Sequence, residues 1–249
     1  MKLDVFLSPG ELSPGDAMGR VVAVIDVLRA STSIATALFN GARTVIPVES
    51  ADVAITRAKQ FERSDVKLAG EMRMLPIPGF DLGNSPQSFT PEAIGGRTIL
   101  FTTTNGTRAL MSLQGARDVV VAGYVNHAAV SAMLRTAVRA DTDVAIVCAG
   151  DEGHFSLEDA ACAGRYVRSV TARSRPSMVL NDAACACEQI DRRYGDNIEK
   201  IFRESVHGQA LAEAGFGEDL VACAALDSQP VVPIYQERQI TRLGPDRER

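Results

Sequence analysis

Three short segments place carboxylates, hydroxyls and arginines within a few residues of one another. The first is Asp26-Val27-Leu28-Arg29-Ala30-Ser31-Thr32, and the second is Thr102-Thr103-Thr104-Asn105-Gly106-Thr107-Arg108. The third, CAGDEGHFSLED, runs from Cys148 to Asp159. In the second segment, a helix starting near Asn105 would point free N–H groups outward. The hydroxyls of Thr103, Thr104 and Thr107 would add donors there, and Gly106 would let an anion approach the backbone closely. Arg108, and Arg29 from the first segment, would each supply a planar, permanently charged fork for phosphate, sulfonate or carboxylate. Taken singly, these residues have ordinary readings, since Thr and Asn cap helices and arginines sit in surface ion pairs. Together they point to an anion site.

Carboxylates supply the other half of the chemistry. Asp26 ends an apolar run, where an acid is costly unless it is paired, hydrogen-bonded or metal-bound. Asp81, Asp151, Glu158 and Asp159 lie in the other polar segments, and Glu71 opens an irregular stretch. Acids beside anion donors are what Mg²⁺-assisted phosphoryl chemistry needs, because the metal bridges protein and substrate oxygens. The expected Mg²⁺ ligands come from Asp26, Asp81, Asp151 and Glu158. Glu158 and Asp159 also have a structural reading, as acids in the first turn of a helix after Ser156. Of the histidines, only His154, flanked by a glycine-containing loop, suggests acid/base work. His127 lies near a helix start and His207 in a helical patch. No Walker phosphate loop, strand-linked dinucleotide fingerprint or Gly-x-Ser-x-Gly elbow is present.

The elements that must position these segments alternate. Val21 to Val27 is almost wholly apolar and branched, as a strand buried on both faces should be. STSIATALFNGA then reads as a helix, with Ser31 or Thr32 as its cap and Gly41 near its stop. Thr44 to Val48, Val66 to Gly70, Thr98 to Thr102, Val119 to Ala122 and Val144 to Ala149 read as further strands. Helical patterns cover ADVAITRAKQFER and about 105–114, 126–140 and 156–171. Such alternation predicts an α/β fold: three α/β/α layers around a largely parallel or mixed sheet. Ligands of open α/β sheets bind beyond the carboxyl ends of the strands. If the three strands are neighbours, the three polar segments open onto one cleft. Residues 71–96 break the periodicity with a Pro/Gly-rich insertion, a kind of segment that is more often functional than filler. After about 175 the pattern loosens, ending in a strand near VVPIY and a charged tail. The chain reads as one α/β domain over 1–249, with room for a smaller C-terminal subdomain from about 175.

At 249 residues and 46% hydrophobic, the chain can bury a sizeable core. Its net charge of -5 and lack of a basic run argue against nucleic acid. No segment approaches the roughly 18 apolar residues of a membrane span, and the N-terminus carries acids and prolines where a signal peptide would be apolar. Five scattered cysteines form no disulfide framework, which favours a reducing, cytoplasmic setting. Cys185 and Cys187, within AACAC, suit close packing better than zinc. The residues do not specify an oligomeric state, and a homodimer is the default prior.

VVAVIDVLRASTSIATAL, GFDLGNSP, TTTNGTRAL and CAGDEGHFSLEDA, in that order, resemble the 2-phosphosulfolactate phosphatase family. The similarity runs from about residue 3 through DLVACAALDSQPVVPIY. The resemblance implies an α/β fold and Mg²⁺-dependent release of phosphate from 2-phospho-3-sulfolactate or a related 2-hydroxycarboxylic acid phosphate. In some organisms that product feeds coenzyme M synthesis. Glu71-Met72-Arg73 resembles the family's Gly-Glu-Arg with Met72 inserted, which leaves the role of Arg73 open. A substrate bearing phosphate, carboxylate and sulfonate needs several separated donors. Arg29, Arg108, Ser31, Thr32, Asn84, Ser85 and the Thr103 to Thr107 helix start would provide them. Asp26, Arg29, Arg108 and Asp151 are the expected catalytic residues. Whether water attacks directly or Asp26 attacks first is not decided by the residues. The competing readings are a metabolite-binding protein that senses such an acid, and an enzyme of the same fold with a drifted substrate.

Overall fold

The computed structural model describes residues 1–172 and 178–244. In chain order the elements are β1 Lys2–Phe6, β2 Val21–Ile25, α1 Ala30–Phe39, β3 Thr44–Pro47, α2 Ala51–Ala58, β4 Val66–Met72 and β5 Leu75–Pro76. There follow α3 Pro91–Ile94, β6 Thr98–Thr102, α4 Gly106–Met111, β7 Asp118–Ala122, α5 His127–Arg139, β8 Val144–Cys148 and α6 Leu157–Thr171. The last third holds β9 Val179–Leu180, α7 Asp182–Tyr194, α8 Ile198–Glu204, α9 Val206–Glu213, α10 Gly217–Ala224, β10 Pro233–Gln236 and β11 Gln239–Arg242.

The strands form one mixed, mostly parallel sheet in the order β5-β4-β6-β3-β11-β10-β7-β2-β8-β1-β9. β2 lies between β7 and β8, parallel to both, with Val24 opposite Val121 and Val147. β3 pairs with β6 and β6 with β4, again parallel. The hairpin β10–β11 is inserted antiparallel between these two blocks. Three antiparallel pairings therefore separate β3 from β7, and β6 stands five places from β2 rather than beside it. The right-handed twist, roughly 20–25° per strand, turns the strands progressively across that distance. Residues just beyond the ends of β2 and β6, Asp26 and Thr103, line one cavity.

Both faces of the central strands are buried, which is why β2 and β8 are apolar throughout and β6 is apolar between its terminal residues Thr98 and Thr102. Val22, Val24, Val121 and Val147 share a core with Ile99 and Phe101 of β6 and with Ile34 and Leu38 of α1. The alternate residues Val21, Ala23 and Ile25 face Leu134, Tyr166, Phe202, Leu211 and Leu220 from the helical layer. α2 covers the outer face of β3 and β6 through Ala54, against Ile46 and Leu100. α6 and α7 approach so closely that a Cβ on Gly164 would stand 1.9 Å from the Cys187 carbonyl oxygen. This contact accounts for the small residues of AACAC. Among the described residues no helix is long and apolar enough to cross a membrane.

Candidate active site

The polar segments after β2, β6 and β8 meet at a cavity of about 280 Å³. Asp26, Arg29, Thr103, Thr104, Asn105 and Asp151 line it, together with Glu71, Arg73 and Asn84 from the insertion and His207 from α9.

Asp26 is buried where β2 stops. Its Oδ1 accepts from the Ala30 N–H at 3.3 Å, and its own N–H donates to the Ser31 hydroxyl at 2.8 Å. Burial raises its pKa to about 6, although the positive charge of His207 pulls the other way. Asp159 lies behind it, wholly desolvated and also pushed well up by burial. Its two oxygens accept from the N–H groups of Val27 (2.9 Å) and Gly150 (3.1 Å), so one carboxylate ties the loop after β2 to the loop after β8. That is a different job from the first-turn capping expected of it.

Gly106 is required at the head of α4. A Cβ there would come within 2.7 Å of Asp26 Oδ2, so the anion that approaches this glycine is the protein's own carboxylate. The threonine donors are likewise engaged within the chain. The Thr104 N–H and hydroxyl both donate to Glu71 Oε1, at 2.8 and 2.9 Å. The N–H groups of Thr103 and Thr107 each donate to the other's hydroxyl, at 3.3 Å. Asn105 uses its side chain to hold the neighbouring loop. Its Oδ1 accepts from the Glu152 N–H at 3.2 Å, and its Nδ2 lies 3.5 Å from Asp151 Oδ1.

Arg29 reaches the cavity already paired. One terminal nitrogen donates to Asp219 Oδ2 and the other to the Met74 carbonyl, both at 2.7 Å, and its guanidinium lies 4.2 Å from the Phe216 ring centre. Ser85, expected to touch a ligand, instead donates to Asp219 Oδ1 at 2.6 Å and is not part of the cavity wall. Asn84 does line the cavity, and its Oδ1 is buried without a hydrogen-bond partner among the described residues. Ser31, Gly106 and Thr107 border a smaller neighbouring space instead. The Thr32 hydroxyl is turned to the Val27 carbonyl. Arg108 sits in the first turn of α4, and its side chain lies outside the described residues.

The expected metal ligands separate. Asp26 and Asp151 share the cavity wall. Asp81 does not reach it, because Arg63 at 2.6 Å, Lys67 at 3.3 Å and the Leu68 N–H at 2.9 Å hold its carboxylate beside β4. Glu158 is buried and faces His207, with Oε1 3.4 Å from Nδ1, while its Oε2 has no partner among the described residues. Among the described residues no three His, Cys, Asp or Glu side chains converge as a ready-made metal cage. His154, the histidine singled out by its loop, is exposed in a turn where its backbone N–H and carbonyl pair with those of Asp151. His207 is the histidine in the wall. Burial alone would lower its pKa, but the carboxylates around it, Glu158 foremost with Asp151 and Asp26, together outweigh that and raise it to about 9.

Glu71, His207 and Asp219 are the site residues that the pattern of the sequence did not single out for these roles. His207 and Asp219 belong to short helices in the irregular last third, and only tertiary packing brings them to the ends of the strands.

A model of the 2-phosphosulpholactate phosphatase family matches residues 6–238. A protein of Symbiobacterium thermophilum named probable 2-phosphosulfolactate phosphatase is 42% identical over 225 residues, covering 90% of this chain and 95% of the relative. Another so named, from Caldanaerobacter subterraneus subsp. tengcongensis, is 39% identical and covers 94% of this chain and 95% of its own length. A third, from Synechococcus, is 37% identical, covering 98% of this chain and all of the relative. With a match across nearly its whole length, this chain belongs to the 2-phosphosulpholactate phosphatase family.

Proposed function

We propose that this protein is a phosphoric monoester hydrolase. It releases phosphate from 2-phospho-3-sulfolactate or a related 2-hydroxycarboxylic acid phosphate, with Mg²⁺ as its cofactor. The observation that carries this reading is the crowding of Asp26, Glu71 and Asp151 around one cavity whose wall also holds His207. A receptor for an anionic metabolite gains little from several acids facing its ligand, whereas metal-assisted phosphoryl transfer depends on them. Family membership and the names of the relatives support the same reaction.

The donor set suits Mg²⁺, which prefers oxygen and is commonly held by one or two carboxylates, with water and substrate oxygens completing its shell. Asp26 and Asp151 would hold it. Burial keeps the pKa of Asp26 near 6, so its carboxylate would gain from a cation beside it. When bound, the ion would neutralise charge on the phosphoryl oxygens.

The chain's own groups do the rest. His207, its Nδ1 side held by Glu158, is positioned to give a proton to the leaving oxygen of the hydroxy acid. An alkoxide of that kind is too basic to depart readily without one. Gly106 keeps the space beside Asp26 open, and Asp159 fixes the two loops that carry Asp26 and Asp151.

Phosphate release from 2-phospho-3-sulfolactate and from phospholactate, assayed with Mg²⁺ and again with EDTA, tests the reading. Release that EDTA abolishes is expected. A folded, Mg²⁺-supplied protein that releases phosphate from neither compound would overturn it.

A further inference from the structure

Three described cationic side chains line the cavity, Arg29, Arg73 and His207, and they differ in what already neutralises them. Arg29 is matched by Asp219, and both of its terminal nitrogens are donating. His207 is matched by Glu158. Arg73 is exposed and makes no ion pair or side-chain hydrogen bond with any described residue.

The backbone that carries Arg73 is nevertheless fixed. β4 and β5 pair on either side of it, with Glu71 opposite Pro76 and Met72 opposite Leu75. The Met74 N–H donates to Glu71 Oε2 at 2.8 Å, and the Met74 carbonyl accepts from Arg29 at 2.7 Å. Glu71 is itself tied to Thr104 on the far side of the loop. Arg73 and Met74 both adopt left-handed backbone, with φ of 51° and 70°, a conformation uncommon for residues with side chains. A rigid turn thus presents an uncompensated guanidinium at a cavity otherwise rich in carboxylates.

Such a cavity repels a multiply charged anion unless each charge finds a counterpart. Mg²⁺ held at Asp26 and Asp151 would serve the phosphate, and a second strong acid group on the substrate would need a counterpart of its own. We infer that Arg73 is a specificity-determining residue that pairs with an anionic group, sulfonate or carboxylate, on the carbon next to the phosphorylated one. A guanidinium fork matches the oxygens of either group. This inference rests on the phosphatase reading above and adds to it the feature of the substrate that the protein selects.

The test compares kcat and KM for 2-phospho-3-sulfolactate with those for phospholactate, which carries a methyl group in place of the sulfonated carbon. The wild-type protein, Arg73→Gln and Arg73→Lys are assayed with Mg²⁺. The wild type should prefer the sulfonated substrate. Arg73→Gln should shrink that preference by roughly 10-fold or more, the scale of one charge-assisted pair. The change should fall on KM for the sulfonated substrate and exceed any change for phospholactate, and Arg73→Lys should restore part of the preference. An exposed side chain can be exchanged without unfolding the protein, and circular dichroism checks this. An unchanged preference in Arg73→Gln would overturn the inference while leaving the phosphatase reading intact. Release from neither substrate by the wild type would overturn the phosphatase reading, and the role of Arg73 with it.

Discussion

Two buried arginine–aspartate pairs look alike in isolation and differ in what surrounds them. In the helical layer, Arg165 donates to Asp191 at 3.1 Å, to the Gly195 carbonyl at 2.6 Å and to Asp196 at 3.1 Å, and it lies 5.8 Å from the Tyr124 ring centre. At the cavity, Arg29 donates to Asp219 and the Met74 carbonyl, and it lies over Phe216. Each has a carboxylate, a carbonyl and an aromatic ring. The Arg29 pair alone borders a cavity with additional carboxylates, one of them Asp26, with a pKa raised to about 6 by burial. Paired burial is therefore the chemistry of folding. Carboxylates left around an open space, at a cost in desolvation, are the chemistry of a site.

That contrast can be broken in four places, in decreasing order of expected effect on turnover. Asp26→Asn should lower phosphate release on the order of 10³-fold, the scale of losing a group at the reacting centre. It should not weaken the fold. The pKa of Asp26 is raised from 3.8 to about 6, so its ionised form costs stability above about pH 6 and nothing below 3.8. In EDTA, the Asn variant should melt higher than wild type at pH 8 and with it at pH 3.5. A lower melting point at pH 8 would count against the desolvated carboxylate.

His207→Gln should lower kcat roughly 10²-fold, the usual contribution of a positioned acid. With its pKa raised to about 9, His207 keeps its proton below that pH and loses it above. Wild-type activity should therefore fall as pH rises through about 9, and the variant should lack that limb. A limb that survives in the variant would assign it to another group.

Gly106→Ala should lower turnover by about 10-fold, because its Cβ would press on Asp26 Oδ2 at 2.7 Å. A crystal structure should show the carboxylate displaced. An unmoved carboxylate with full activity would remove Gly106 from the site. Asp191→Ala should leave turnover per folded molecule unchanged. Breaking one side of a buried pair should cost about 3–5 kcal/mol of stability in denaturant titration.

Much of the fold was legible because β2, β6 and β8 are buried on both faces, β2 and β8 reading as unbroken apolar runs and β6 as an apolar run between two threonines. β1 and β11 were not recognised. Only alternate residues of β1 are fully buried, and β11 buries Ile240 alone, within what reads as a charged tail. The short helices α8 and α10 hid for a related reason, each presenting only three buried residues. The predicted helix through Arg63 stops at Ala58.

The site was legible as three polar segments at strand ends, but the partners of its residues were not. Thr104 looked like a ligand donor and is held by Glu71. Gly106 looked like an anion's entry point and accommodates Asp26. Asp219 lies 190 positions from Arg29 in the chain, so no local pattern could link them.

The most direct test sets Asp26→Asn beside Asp191→Ala and measures phosphate release from 2-phospho-3-sulfolactate with Mg²⁺. Rates are normalised to the folded fraction of each variant. The cavity account predicts a loss on the order of 10³-fold for Asp26→Asn and a near-wild-type rate for Asp191→Ala. An Asp26→Asn protein that turns over at the wild-type rate would contradict it.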